Sequence, residues 1–125
     1  MCKVLIVEDS ATQRHEMERG ATMGGADEII AEERWGFIVS ELAQLTPDDL
    51  VIADYNVPDL PANRTQALGL LQRARIPFRI VTAYIQDVEK DFRQYAEPKQ
   101  VNLALQVAGI VQQQRAVNDH QSNKV

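Results

Sequence analysis

Short apolar runs alternate with longer amphipathic or polar segments along the chain. Residues 4–7 and 50–53 are continuously apolar, and weaker runs cover residues 28–31 and 78–81. Continuous apolar runs of this length are typical of strands that are buried on both faces of a parallel sheet. The pattern therefore predicts four short strands, of which the second is the weakest.

The segments between these runs carry helix signals. Ser10 precedes an unusually polar stretch, and Gln13 stands three positions after Ser10, which is typical of a capped helix start. Asn63 is a candidate cap for a later helix. Helices are predicted over residues 11–23, 35–45, 63–75 and 101–111. Because strands alternate with helices, we expect right-handed βαβ units around a parallel sheet that is covered on both faces.

Composition narrows the class of protein. The 125 residues carry a formal net charge of −5 and a single cysteine, Cys2. We expect one domain over residues 1–112 and a polar, disordered tail over residues 113–125. The acidic balance argues against nucleic-acid binding, and no apolar run approaches the ~20 residues that span a membrane. A lone cysteine and the absence of an apolar leader favour a cytoplasmic protein.

Polar residues follow three of the predicted strands. Glu8 and Asp9 come directly after the first strand, Asp54 follows the third, and Thr82 ends the fourth. The carboxyl ends of parallel strands share one edge of the sheet, so these side chains should converge there. Clustered carboxylates need a compensating cation, and oxygen ligands suit Mg²⁺. A carboxylate beside such an ion can accept a phosphoryl group as an aspartyl phosphate.

Three segments, residues 4–10, 49–58 and 80–83, resemble in order and spacing the motifs of the receiver domain of bacterial two-component response regulators. The resemblance extends from Lys3 to about Val111. It implies an α/β, flavodoxin-like (CheY-like) three-layer sandwich with a parallel five-stranded sheet in the order 2-1-3-4-5.

The resemblance also implies roles for individual residues. Asp54 would be the phosphoacceptor, and the donor would be a phosphohistidine on a histidine kinase or a histidine phosphotransfer protein. The ligands of Mg²⁺ would be Glu8, Asp9, Asp54 and the backbone carbonyl of Asn56. The residues that contact the phosphoryl group and switch conformation would be Thr82, Ala83 and Tyr84.

One position departs from the receiver pattern. The family has a lysine just before a proline at the end of strand five, whereas Glu97 stands before Pro98 here and Lys99 follows it. A glutamate would add negative charge to an anionic site, at about 4 kcal/mol per close charge pair before solvent relaxation. Three hypotheses remain open: Lys99 replaces the family lysine, the site binds Mg²⁺ but phosphorylates poorly, or the protein is a pseudo-receiver.

The segment after Thr82 is also unusual. Residues 78–84 resemble a receiver subgroup whose fourth strand has the sequence Phe-Ala-Thr-Gly-hydrophobic-Tyr, although Val81 and Ala83 differ from it. In that subgroup helix four, between strands four and five, is short or replaced by a loop. We therefore expect residues 85–94 to be irregular or to form one short helical turn.

These observations favour a stand-alone response regulator, not an enzyme, that signals by a conformational change. The final helix and the irregular segment are the expected face for a downstream protein target or a second copy of the chain, with no nucleic acid and no membrane as partners. A phosphorylation-independent adaptor of the same fold is the alternative. A small Mg²⁺-dependent phosphatase-like enzyme is less favoured, because such enzymes need an aspartate where Asn56 stands.

Overall fold

The computed structural model describes residues 1–122, which form a five-stranded sheet between two helical layers. All strand pairs are parallel and their order is β2-β1-β3-β4-β5, as predicted. The strands are β1 (Lys3–Val7), β2 (Glu28–Glu32), β3 (Leu50–Ala53), β4 (Phe78–Thr82) and β5 (Ala96–Pro98). The predicted α/β, flavodoxin-like architecture is confirmed.

Two helices cover each face of the sheet. The helices are α1 (Ala11–Met23), α2 (Gly36–Glu41), α3 (Pro61–Arg73) and α4 (Leu103–Ser122). Side chains of α1 and α4 form one half of the core with alternate residues of β1 and β3, and α2 and α3 form the other half with the residues between them. This alternation follows from the two-residue period of a strand, which sends successive side chains to opposite faces.

The helices α1 and α4 approach each other closely because α1 presents glycines to its neighbour. A Cβ atom built on Gly20 would overlap the backbone carbonyl of Ala104, and one on Gly24 would lie 2.7 Å from the carbonyl oxygen of Ala108. The polar character of α1 is thereby explained, since Met17 and Ala21 fill the core while the glycines allow backbone contact.

The helix α3 begins earlier than its predicted cap. Pro61 is its first residue and Leu60 precedes it in extended conformation, so the prediction of Asn63 as the cap is wrong. Proline is favoured at a first helical position because its missing N–H would have had no partner there. The Asn63 amide instead donates to Asp59 at 2.8 Å, and Asp59 accepts from the backbone N–H of Gly36 at the start of α2.

The helix α4 continues well beyond its predicted end. The prediction of a disordered tail over residues 113–125 is wrong for residues 113–122, which are helical, and residues 123–125 lie outside the described part of the chain. Long-range contacts stabilise the extension: the buried Asn118 amide donates to the carbonyl of Asp48 at 2.7 Å, and Arg115 donates to the carbonyl of Gly25. No helix within residues 1–122 is long and apolar enough to cross a membrane.

The segment between β4 and β5 contains no α-helix, as predicted. Two short 3₁₀ helices, Ile85–Asp87 and Lys90–Tyr95, occupy it. Val88 and Phe92 are nevertheless buried in the core on the α2 and α3 side. Irregular backbone therefore completes this layer in place of a helix.

Candidate functional site

Carboxylates from β1 and β3 meet at the carboxyl edge of the sheet. Val7 and Ala53 are paired across the two strands, so the residues that follow them, Glu8 and Asp54, emerge side by side. The Glu8 side chain is buried, Asp54 is nearly so at 9% exposure, and Asp9 faces solvent. The structure thus brings the three predicted carboxylates to one edge, with two of them largely withdrawn from water.

Lys99 lies between the two buried carboxylates. Its Nζ atom is 2.7 Å from Oδ2 of Asp54 and 3.3 Å from Oε2 of Glu8, and it also donates to Oε1 of Gln13 on α1. An ammonium group shared by two carboxylates supplies the compensating charge that the sequence pattern lacked. Lys99 therefore lies beside the Asp54 carboxylate, and its replacement of the family lysine stays a prediction.

Glu97 points away from this edge. It is paired with Val81 across β4 and β5, and Oε1 of Glu97 accepts a hydrogen bond of 2.8 Å from Nε2 of Gln106 on α4. Residues two apart in a strand share a face and are separated by about 6.6 Å along it. Glu97 consequently lies one strand period below Lys99, which takes the position at the edge.

Burial and charge shift the protonation equilibria at this edge. Burial, opposed by the hydrogen bond from the backbone N–H of Ser10 and reinforced by the charge of Asp54, raises the pKa of Glu8 from 4.5 to about 7. Burial alone would lower the pKa of Lys99, but its hydrogen bond with Asp54 and the charges of Asp54 and Glu8 raise it above its ordinary value. Lys99 is therefore a permanent cation here.

Thr82 ends β4 at the same edge of the sheet. Its side chain is fully buried, and Oγ1 accepts hydrogen bonds from the backbone N–H of Tyr84 at 3.3 Å and from Nδ2 of Asn56 at 3.4 Å. Ala83 and Tyr84 are exposed. The hydroxyl is thus positioned between the loop after Asp54 and the irregular segment after β4.

Several residues at this edge escaped the sequence analysis. Gln13 binds Lys99, the Arg14 guanidinium donates to the carbonyl of Glu8 at 2.9 Å, and the buried Gln106 organises the turn after β5. The position of Gln13 and Arg14 in the first turn of α1, just after the acidic pair, was an available signal. Gln106 had none, because it lies on a helix that only the folded chain brings to β5.

The oxygen atoms at this edge have the chemistry that Mg²⁺ prefers, but they are not assembled around a single point. Within residues 1–122, no group of three or more His, Cys, Asp or Glu side chains could hold a metal ion. Lys99 already pairs with two of the acidic side chains. Mg²⁺ commonly takes only one or two carboxylates and keeps several waters, so the oxygen donors suit it chemically, but their arrangement within residues 1–122 is not that of a metal site.

Comparisons with known proteins identify the fold. A response regulator receiver domain from Rhodospirillum rubrum superposes with a TM-score of 0.65 and 18% sequence identity, covering 91% of this chain and 94% of that chain. The anti-anti-sigma factor PhyR from Bartonella quintana superposes with a TM-score of 0.67 and 20% identity, covering 98% of this chain and 51% of that chain. This chain therefore spans about half the length of that PhyR chain. No protein-family model and no curated protein sequence matches the chain.

The class of protein follows from these likenesses and the sheet order. The chain has the CheY-like fold of a response-regulator receiver domain.

Proposed function

We propose that this protein is a response-regulator receiver that accepts a phosphoryl group on Asp54 in a Mg²⁺-dependent reaction, with a phosphohistidine of a histidine kinase or phosphotransfer protein as the donor. The observation that carries the proposal is the 2.7 Å contact between Lys99 Nζ and Asp54 Oδ2. A lysine beside a nearly buried aspartate can pair with the charge that phosphorylation adds. The ammonium group of Lys99 therefore supplies a positive charge at the site, although Glu97 occupies the usual lysine position.

In the proposed reaction, one Asp54 carboxylate oxygen attacks the phosphorus atom and the P–N bond to the donor imidazole breaks. The bonding electron pair leaves with the imidazole nitrogen. Such transfers depend on charge neutralisation and alignment more than on acid–base chemistry. Lys99 and the hydroxyl of Thr82 would hold phosphoryl oxygens, while the backbone N–H of Asn56, which donates to Asp54 Oδ1 at 3.1 Å, orients the nucleophile.

The metal proposal depends on oxygen donors of Glu8, Asp9 and Asp54 and on the backbone carbonyl of Asn56. Mg²⁺ bound there would neutralise charge on the transferred group. The raised pKa of Glu8 follows from its burial and from the neighbouring Asp54 carboxylate, which is the electrostatic situation that a cation relieves.

Signalling would follow from a shift between two arrangements of the Thr82 region. The Thr82 hydroxyl bonds both the loop after Asp54 and the backbone at Tyr84, so drawing it toward a phosphoryl group would disturb the segment that follows. The exposed side chains of Tyr84, Val101 and Leu105 near that segment and at the start of α4 support a face for a downstream protein or a second copy of the chain.

The test is incubation with Mg²⁺ and phosphoramidate, followed by intact-mass measurement. Wild-type protein should gain one phosphoryl group, Asp54→Asn should gain none, and Asp91→Asn, which changes an exposed aspartate of a 3₁₀ helix, should behave as wild type. No mass gain by the wild-type protein would contradict the proposal.

A phosphorylation-independent adaptor is the second candidate. It is favoured by the two ion pairs of Lys99, which compensate the buried carboxylates without a metal or a phosphoryl group. Backbone amide NMR spectra that stay unchanged on adding Mg²⁺ and beryllofluoride would support the adaptor. Spectral changes around Asp54 and Thr82 would instead support the receiver.

A further inference from the structure

We propose that Gln106 is a positioning residue that keeps Lys99, and not Glu97, at Asp54. This inference rests on the proposed phosphorylation of Asp54 for its functional meaning, although the positioning itself can be measured without phosphorylation. No motif in the sequence marks Gln106, and it touches neither carboxylate of the site directly.

Gln106 binds the chain on both sides of Lys99. Its side-chain Nε2 donates to Oε1 of Glu97 and to the carbonyl of Pro98, both at 2.8 Å, and its Oε1 accepts from the backbone N–H of Gln100 at 2.9 Å. The side chain is only 7% exposed, so these bonds replace hydration that burial has removed. A single buried amide thus fixes residues 97, 98 and 100 around the lysine.

This support matters because little else holds the turn. The strand β5 has only three residues, and Lys99 comes after its last one. A backbone hydrogen bond of 3.0 Å from the Lys99 N–H to the Thr82 carbonyl extends the pairing by one residue. Lysine has a flexible four-carbon side chain, so the position of its ammonium group depends on how firmly its backbone is placed.

Gln106 also holds the carboxylate of Glu97, which lies two residues before the lysine. Glu97 forms no ion pair within residues 1–122, and its hydrogen bond to Gln106 holds the carboxylate against α4. If that bond is lost, the partly buried Glu97 carboxylate needs another hydrogen-bond donor. The ammonium group of Lys99, two residues along the chain, carries the opposite charge and is a suitable partner.

The first test measures the position of Lys99 without any phosphoryl group. Native protein is treated briefly with an amine-acetylating reagent, and acetylation of Lys99 is compared with that of the exposed Lys90 in the same digest by mass spectrometry. Gln106→Met keeps the size of the side chain and removes its polar atoms, and it should raise the Lys99 to Lys90 ratio about fivefold. The matched control is Gln114→Met, because Gln114 lies on the same helix and bonds only Asn118.

The second test asks whether Gln106 acts through Lys99. Gln106→Met should slow phosphorylation by phosphoramidate about tenfold, and it should have no further effect in a Lys99→Met background. A merely structural role would slow the reaction in both backgrounds. The pair Gln106→Glu with Glu97→Gln, which reverses the direction of one bond, should recover part of the rate that Gln106→Glu alone loses.

The outcomes separate this inference from the proposed function. A raised acetylation ratio with no phosphorylation of the wild-type protein would support the positioning role and contradict the receiver function. An unchanged ratio for Gln106→Met would overturn the positioning role whatever the phosphorylation result. If Gln106→Met does not fold, Gln106→Glu provides the same measurement, and an unchanged ratio for it has the same meaning.

Discussion

The centre of the sheet and its β5 edge are built differently in this protein. Around β1 and β3, strands are paired on both sides and covered by helices on both faces, and the acidic residues follow them at the positions that the sequence pattern predicts. Around β5, the strand has three residues, two 3₁₀ helices replace a covering helix, and the lysine comes one residue after the proline. In the regular region a change of register would turn buried side chains to the wrong face of the sheet. At the irregular edge, a lysine two positions later in the sequence reaches the same carboxylates.

The largest expected effect is at the irregular edge. Lys99→Met should lower the rate of phosphorylation by phosphoramidate about a hundredfold, because it removes the cation that faces the transferred group. Glu97→Gln should leave the rate nearly unchanged, since the Glu97 side chain binds Gln106 and faces away from Asp54. Single-turnover mass measurements at equal Mg²⁺ check both. A large loss in Glu97→Gln with little in Lys99→Met would reverse the assignment.

The next effect tests the tightly packed region. Gly20→Ala should lower the free energy of unfolding by about 1–3 kcal/mol, because its methyl group would overlap the backbone of Ala104 where α1 meets α4. Gly109→Ala is the control, since a Cβ there meets no atom within 4 Å. That change should stabilise the protein by roughly 0.5–1 kcal/mol through helix propensity. Urea unfolding checks the pair, and equal effects would mean that α1 and α4 are less closely packed.

The last effect varies with pH and concerns the buried carboxylate of the regular region. Burial raises the pKa of Glu8 from 4.5 to about 7, so between these values the folded state binds more protons than the unfolded state. The free energy of unfolding should therefore fall as pH rises from about 4.5 to about 7, by at most ~1.4 kcal/mol per pH unit from this group.

Glu8→Gln isolates that contribution. Urea unfolding in the presence of a chelator should give a difference between wild type and Glu8→Gln that changes across this pH range and is constant below it. The difference is the useful quantity because burial also raises the pKa of Glu32, which contributes to both proteins. A difference that does not vary with pH would show that Glu8 titrates near its ordinary value.

Much of the fold could be predicted because each strand pattern is local. The continuous apolar runs before Glu8 and Asp54 indicated strands buried on both faces, and the resemblance of residues 78–84 to a receiver subgroup indicated the missing helix. The end of α4 could not be predicted in this way. Residues 113–122 are polar, and the contacts of Arg115 and Asn118 that stabilise them are with residues some 70–90 positions away.

The candidate site divides in the same way. Glu8, Asp9, Asp54 and Thr82 were identifiable because each directly follows or ends a strand. The choice between Glu97 and Lys99 was left open, since they stand on either side of Pro98 and a sequence does not state where the strand ends at the edge of the sheet.

By itself, the sequence determined the parallel sheet and the acidic residues at its carboxyl edge, because buried strands appear as short apolar runs and these residues directly follow them. The order of the strands was implied by the resemblance to receiver domains. Only the tertiary structure decided which charge reaches Asp54. That outcome depends on the register of a three-residue strand and, as we propose, on a hydrogen bond from Gln106, which lies on α4. Interactions between distant segments set both, and no local pattern encodes them.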